Sequence, residues 1–318
     1  MKKSDRKYLK KLLKTPSPTG CEQRIAQVVR DRVAPFATTV ETDVMGSVHA
    51  TVEGGAAAPS LMLAAHMDEV GLMVVNIADD GFLSVAAIGG VDAAILPGLR
   101  VGDPITYGVG FERFGRHMGV SRAFDDKCGV WVITRVIEEL AAAGSGFGTV
   151  TAACTVQEEI GTRGAITSAF GVAPDVAVAF DVTHATDYPG ISHAKYGDIK
   201  CGGGPVIGRG PNVNPAVYER LVAAAEAAGI PYQVEALPGH SGTDAWPIQV
   251  SRSGIPTGLV SVPLRYMHTP TEVICLDDLD ACVALFVQFA KDLPEAATFV
   301  PGVGVAPADD TDAPAGEE

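Results

Sequence analysis

Four apolar runs of strand length set the pattern of this chain, and each leads into residues able to bind a cation or carry a proton. Residues 60–67 (SLMLAAHM) reach His66, with Asp68 just beyond, and residues 149–157 (TVTAACTVQ) run into Glu158 and Glu159. Residues 176–180 (VAVAF) stop at Asp181, and residues 256–262 (PTGLVSV) are followed by a loop carrying His268. Runs this apolar imply strands buried on both faces, as in a sheet covered by helices. Helical segments lie between them at 127–144, 215–229 and 277–293. The second opens on Pro215 and closes on Gly229, and the third opens on acids that suit a helix N-terminus. The alternation predicts an α/β layered fold.

Residues 70–120 read differently. VGLMVVNIADDGFLSVAAIGG alternates and turns at Asp79-Asp80-Gly81, a hairpin signal. The expected organisation is a main domain over 1–70 and 118–300, with a short β-rich insert at 71–117. Residues 301–318, rich in Pro, Ala and acids, are expected to form a disordered acidic tail. The basic start is followed by no apolar stretch of the kind a signal peptide needs. It reads as a first helix with Leu9, Leu12 and Leu13 turned inward. No uncharged stretch reaches the ~18 residues of a membrane span. Six cysteines without a CxxC pair read as reduced thiols of a cytoplasmic protein. A net charge of −14 argues against nucleic acid and anionic membranes as partners, since both need a basic face.

The strand-end residues carry the chemistry. In open α/β sheets, ligands bind beyond the carboxyl ends of the strands. There the sequence gathers His66, Asp68, Glu158, Glu159 and Asp181, with Asp125 and Asp126 ahead of a helix and His268 in a loop. Two imidazoles with several carboxylates suit Zn²⁺, Mn²⁺ or Co²⁺ better than a thiolate site would. In an extended segment His66 and Asp68 share a face, which lets the acid orient the imidazole. Taken singly, each residue has an ordinary reading. Asp125–Asp126 caps a helix, Glu158–Glu159 is solvated surface, and His268 is a core histidine. Taken as a set in this order, they point to metal-assisted hydrolysis, in which metals acidify a water and a carboxylate takes its proton.

AAHMDEVG, AFDDKCG, TVQEEIGTRGA, AFDVTHATD, SGTDAWPIQVSRSGIPT and RYMHTPTEV resemble, in order, the motifs of the M42 family of dinuclear metallo-aminopeptidases. The resemblance spans residues ~8 to ~293, that is, nearly the whole folded chain. It implies a three-layer fold with a helix-covered mixed central sheet and two divalent ions per chain, Zn²⁺ first, with Co²⁺ or Mn²⁺ as alternatives. His66 and Asp181 would hold one ion, Glu159 and His268 the other, and Asp125 would bridge them, with Asp126 as the fallback. Glu158 would be the general base and later the acid, with Asp68 supporting His66. HSGTD (240–244) would border the site. Substrates would be peptides with a free N-terminus, and the assembly a homo-oligomer, a dimer or larger. The insert is shorter than the family's, which puts the tetrahedral assembly of some relatives in question. A second reading on the same scaffold is a deacylase of small N-acyl compounds, and a third is a non-catalytic, metal-stabilised binding protein. Arg122, Arg163 and Arg265 are basic residues that could select acidic N-terminal side chains, and each reads equally well as structural.

Overall fold

The computed structural model describes residues 1–90 and 102–301. In chain order the elements are α1 (Lys3–Lys14), α2 (Gln23–Val33), β1 (Thr39–Thr42), β2 (Val48–Glu53), β3 (Leu61–His66), β4 (Gly71–Ile77), β5 (Leu83–Ile88) and β6 (Pro104–Ile105). There follow β7 (Glu112–Phe114), β8 (Met118–Ser121), α3 (Phe124–Ala143), β9 (Thr149–Thr155), α4 (Arg163–Val172), β10 (Val176–His184) and α5 (His193–Tyr196). The chain closes with β11 (Val206–Arg209), α6 (Pro215–Ala227), β12 (Gln233–Ala236), α7 (Ala245–Gln249), β13 (Thr257–Arg265), β14 (Glu272–Cys275) and α8 (Leu276–Asp292).

The large sheet is mixed, in the order β1-β2-β9-β3-β10-β13-β14-β8-β7, with β11 bridging β13 and β12. Its centre, β9-β3-β10-β13, is parallel. The apolar runs supply that centre, and every residue of β3 is buried. The pleat sorts their side chains by parity. Leu61, Leu63, Val176, Val178, Phe180, Val260 and Val262 join a core with residues of α1, α2, α3, α6 and α8. Met62, Ala64, Ala177, Ala179 and Leu259 face the other way, against Ala165 and Ala169 of α4 and Ala245 and Ile248 of α7. Helices therefore cover both faces of a mixed sheet, as expected. On α1, Leu9, Leu12 and Leu13 are all buried, each contributing about 1.5–3 kcal/mol relative to exposure.

Within the expected insert, β5-β4-β6 forms a separate three-stranded sheet with its own small core of Leu72, Val74, Leu83 and Ile105. The hairpin turns at Asp79–Gly81 as the sequence indicates. The strand β7, also inside 71–117, instead extends the large sheet through β8. Residues 91–101 of the insert, and all of the acidic tail except Pro301, lie outside the described residues. All six cysteines are free thiols, and no helix among the described residues is long and apolar enough to cross a membrane.

Candidate functional site

The sheet register brings the first two strand-end residues together. Ala64 of β3 pairs with Ala179 of β10, so two residues further on His66 and Asp181 stand side by side on the alanine-lined face. His66 Nε2 lies 4.0 Å from Asp181 Oδ1 and 3.1 Å from Asp125 Oδ1. His268, at positive φ in the loop after β13, brings its Nε2 to 3.2 Å from Asp125 Oδ2 and 3.4 Å from Glu159 Oε2. Two ligand-like sets result, His66–Asp125–Asp181 and Asp125–Glu159–His268, each with its atoms within 4.8 Å of one another and both sharing Asp125. Glu158 reaches in beside them, with Oε2 3.9 Å from His66 Nε2.

Asp125 and Asp126 diverge. The backbone at both is non-helical although both fall within the first turn of α3. Asp126 turns back to accept the Gly129 N–H at 3.1 Å, the capping role a Ser or Asp plays at a helix start, and only Asp125 faces the cluster. Asp68 sits beneath the cluster rather than in it. Its backbone carbonyl lies 3.2 Å from His66 Nδ1, while its carboxylate accepts the backbone N–H groups of Glu158 (3.0 Å) and Glu159 (3.2 Å) and the Thr19 hydroxyl (2.9 Å). It therefore fixes the backbone of the two glutamates as well as the ring of His66. With Nδ1–H of His66 donated to the Asp68 carbonyl and that of His268 to Gly90 O at 3.3 Å, both imidazoles turn Nε2 toward the carboxylates.

Sequence reasoning did not give Glu272 a role. This buried residue accepts the Asp125 N–H (3.2 Å) and the His268 N–H (3.1 Å), tying two cluster residues to the start of β14. The available signal was an acid opening the apolar strand EVIC, four residues after His268. In the HSGTD stretch, His240, Ser241 and Thr243 line the cavity, whereas Asp244 is buried and accepts the Thr155 hydroxyl at 2.6 Å.

The electrostatics are those of crowded acids. Burial, and then neighbouring carboxylates such as Asp181 for Glu158 and Asp125 for the others, push Glu158 up to about 10, and Glu159 and Asp181 to about 8. Burial would also raise Asp125, but contacts with His268 and His66 outweigh it and hold this carboxyl below the usual range. His268 is raised to about 9, chiefly through Asp125. The Oε1 atom of Glu159 is buried with no partner. Two imidazole nitrogens and several carboxylate oxygens converge here without a lysine or arginine among the described lining residues, so the donor set fits divalent cations.

The cluster opens into a cavity of about 550 Å³ that Thr183, Glu235, Leu237 and Trp246 also line. None of the three arginines considered from sequence lines it. Arg122 pairs with Glu69 in a buried group with Lys127, Arg265 forms a two-pronged pair with Asp187 at 2.7 Å, and Arg163 begins α4.

Comparison with known proteins accords with this geometry. The sequence profile of the M42 glutamyl aminopeptidases matches residues 46–101 and 94–285. A lysyl aminopeptidase of Pyrococcus furiosus is 30% identical over 345 residues, covering 91% of this chain and 97% of that one. Among solved structures, the aminopeptidase APDkam598 of Desulfurococcus kamchatkensis superposes with a TM-score of 0.83 at 32% identity, over 91% of this chain and 94% of that one. The TET1 peptidase of Pyrococcus horikoshii, which can assemble into a tetrahedron or a large octahedral shell, gives 0.79 at 26% identity, over 91% and 100%. The chain therefore belongs to the M42 family of glutamyl aminopeptidases and is a peptidase.

Proposed function

We propose that the chain is a two-metal aminopeptidase releasing residues from the free N-terminus of peptides. The observation that carries this reading is the pair of three-residue sets sharing Asp125, set at the carboxyl ends of parallel strands. His66 and Asp181 would hold one ion, Glu159 and His268 the other, and Asp125 both. Zn²⁺ suits two imidazoles with carboxylates, and Co²⁺ and Mn²⁺ accept the same donors. When bound, two such ions lower the pKa of water and polarise the scissile carbonyl.

The chain's own residues supply the rest. Glu158 stands beside His66, and its carboxylate has no hydrogen bond among the described residues, which leaves it in position to take a proton from the attacking water and return it to the leaving amine. Asp68 accepts the Glu158 backbone N–H, which fixes the turn from which the base projects. The cavity receives the N-terminal side chain. A homo-oligomer accords with the assembly described for the horikoshii peptidase, and β4–β6 with its small separate core is the segment we assign to an assembly role.

Glu158→Gln tests the base directly. This variant keeps the wild-type metal content and loses about a hundred- to ten-thousandfold in kcat. Near-normal turnover would remove Glu158 from the role. N-acyl amino acids cleaved in preference to unblocked peptides would favour the deacylase reading instead.

A further inference from the structure

The names attached to relatives point to opposite substrates, glutamyl for the family and lysyl for the furiosus enzyme, so only the cavity wall can decide for this chain. Thr183 stands two residues beyond Asp181 on the same face of β10, about 6.6 Å along the strand. Its hydroxyl donates to Glu235 Oε1 at 2.8 Å, and both residues line the cavity that holds the cluster. Glu235 is half-buried on β12, the outermost strand beyond β11. It forms no ion pair among the described residues, and no lysine or arginine is among the described residues lining this cavity. Leu237 and Trp246 give the same cavity apolar surface.

We propose that Glu235, held by Thr183, selects substrates whose N-terminal residue is basic. This rests on the aminopeptidase reading, in which the peptide's amino terminus lies at the cluster. A lysine or arginine there has a flexible stem long enough to pass from Asp181 to Glu235, with Leu237 and Trp246 covering its methylenes. Burial pushes the Glu235 carboxyl up, opposed by the Thr183 hydroxyl and by His184, and a carboxylate in that state is stabilised by an arriving cation. An acidic side chain would meet the Glu235 carboxylate with no lysine or arginine among the described lining residues to offset it, and would be repelled.

The test uses the metal-loaded full chain with Lys-, Arg-, Leu- and α-linked Glu-p-nitroanilides. Wild type is expected to rank Lys and Arg above Leu, and Leu above Glu, in kcat/KM. Glu235→Gln should lower the Lys-to-Leu ratio about tenfold, mainly through KM, as expected for loss of a charge-assisted hydrogen bond. Glu235→Lys should move the preference toward Glu. Calorimetric binding of lysinol and leucinol, which carry no amide to cleave, should follow the same order. A wild-type preference for Glu would overturn the proposal. So would a Lys-to-Leu ratio unchanged in Glu235→Gln, which would make Glu235 an anchor for the amino group or a support for β12. Selective lysinol binding, lost in Glu235→Gln, with no anilide cleaved at all, would uphold Glu235 as the contact for a basic side chain and sink the aminopeptidase reading.

Discussion

Glu272 shows how much of this site depends on residues that would touch neither metal nor substrate. It accepts backbone N–H groups from Asp125, the residue shared by both sets, and from His268 of the second set. Burial, and then the charge of Asp125, raise its carboxyl well above the ordinary range. Gln keeps the size but replaces one acceptor oxygen with a donor, which sets an N–H against an N–H. Glu272→Gln is therefore expected to lower metal affinity or kcat about 10- to 100-fold. Circular dichroism should show the fold intact. Wild-type affinity and turnover in that variant would mean that Asp125 and His268 are positioned without it. Asp68 acts in the same way on the other side, through the backbone of Glu158 and Glu159.

At the level of elements, the parallel strands were legible because burial on both faces leaves an uninterrupted apolar run, and such a run ends visibly when the first polar residue appears. That is why His66, Glu158, Glu159 and Asp181 stood out as strand-end residues, while the roles proposed for them came from the resemblance. The direction of a side chain was less legible. Asp125 and Asp126 are adjacent acids ahead of a helix, and only the backbone angles show that the second caps Gly129 while the first faces the cluster. The edge strands were not legible. The strand β12 is four residues of mixed character, and its Glu235 acquires meaning only when β11 carries it to the cavity. The insert shows the same limit, since β7 follows Pro- and Gly-punctuated chain and yet joins the large sheet. The structural reading of Arg122 and Arg265 could not be chosen from sequence for a related reason, because their carboxylate partners, Glu69 and Asp187, lie far away in sequence.

For the molecule as a whole, a net charge of −14 first served to exclude nucleic acid. Its placement has a thermodynamic consequence. Without metal, Glu158, Glu159 and Asp181 have folded-state values far above their unfolded ones, and His268 is raised as well. Between about pH 5 and 8 the folded chain then binds more protons than the unfolded chain, so its stability falls as pH rises. The Tm of the chelated protein should drop from pH 5 to pH 8, and excess divalent metal should remove most of that drop. A chelated Tm that rises over the same interval would mean that the cluster is not the crowded group of acids described here. The central claim is narrower and can be counted directly. Elemental analysis of the metal-loaded protein should give two divalent ions per chain, falling to one or none in Asp125→Ala, because that residue serves both sets. One ion in the wild type, or two still bound in Asp125→Ala, would contradict a shared two-metal centre.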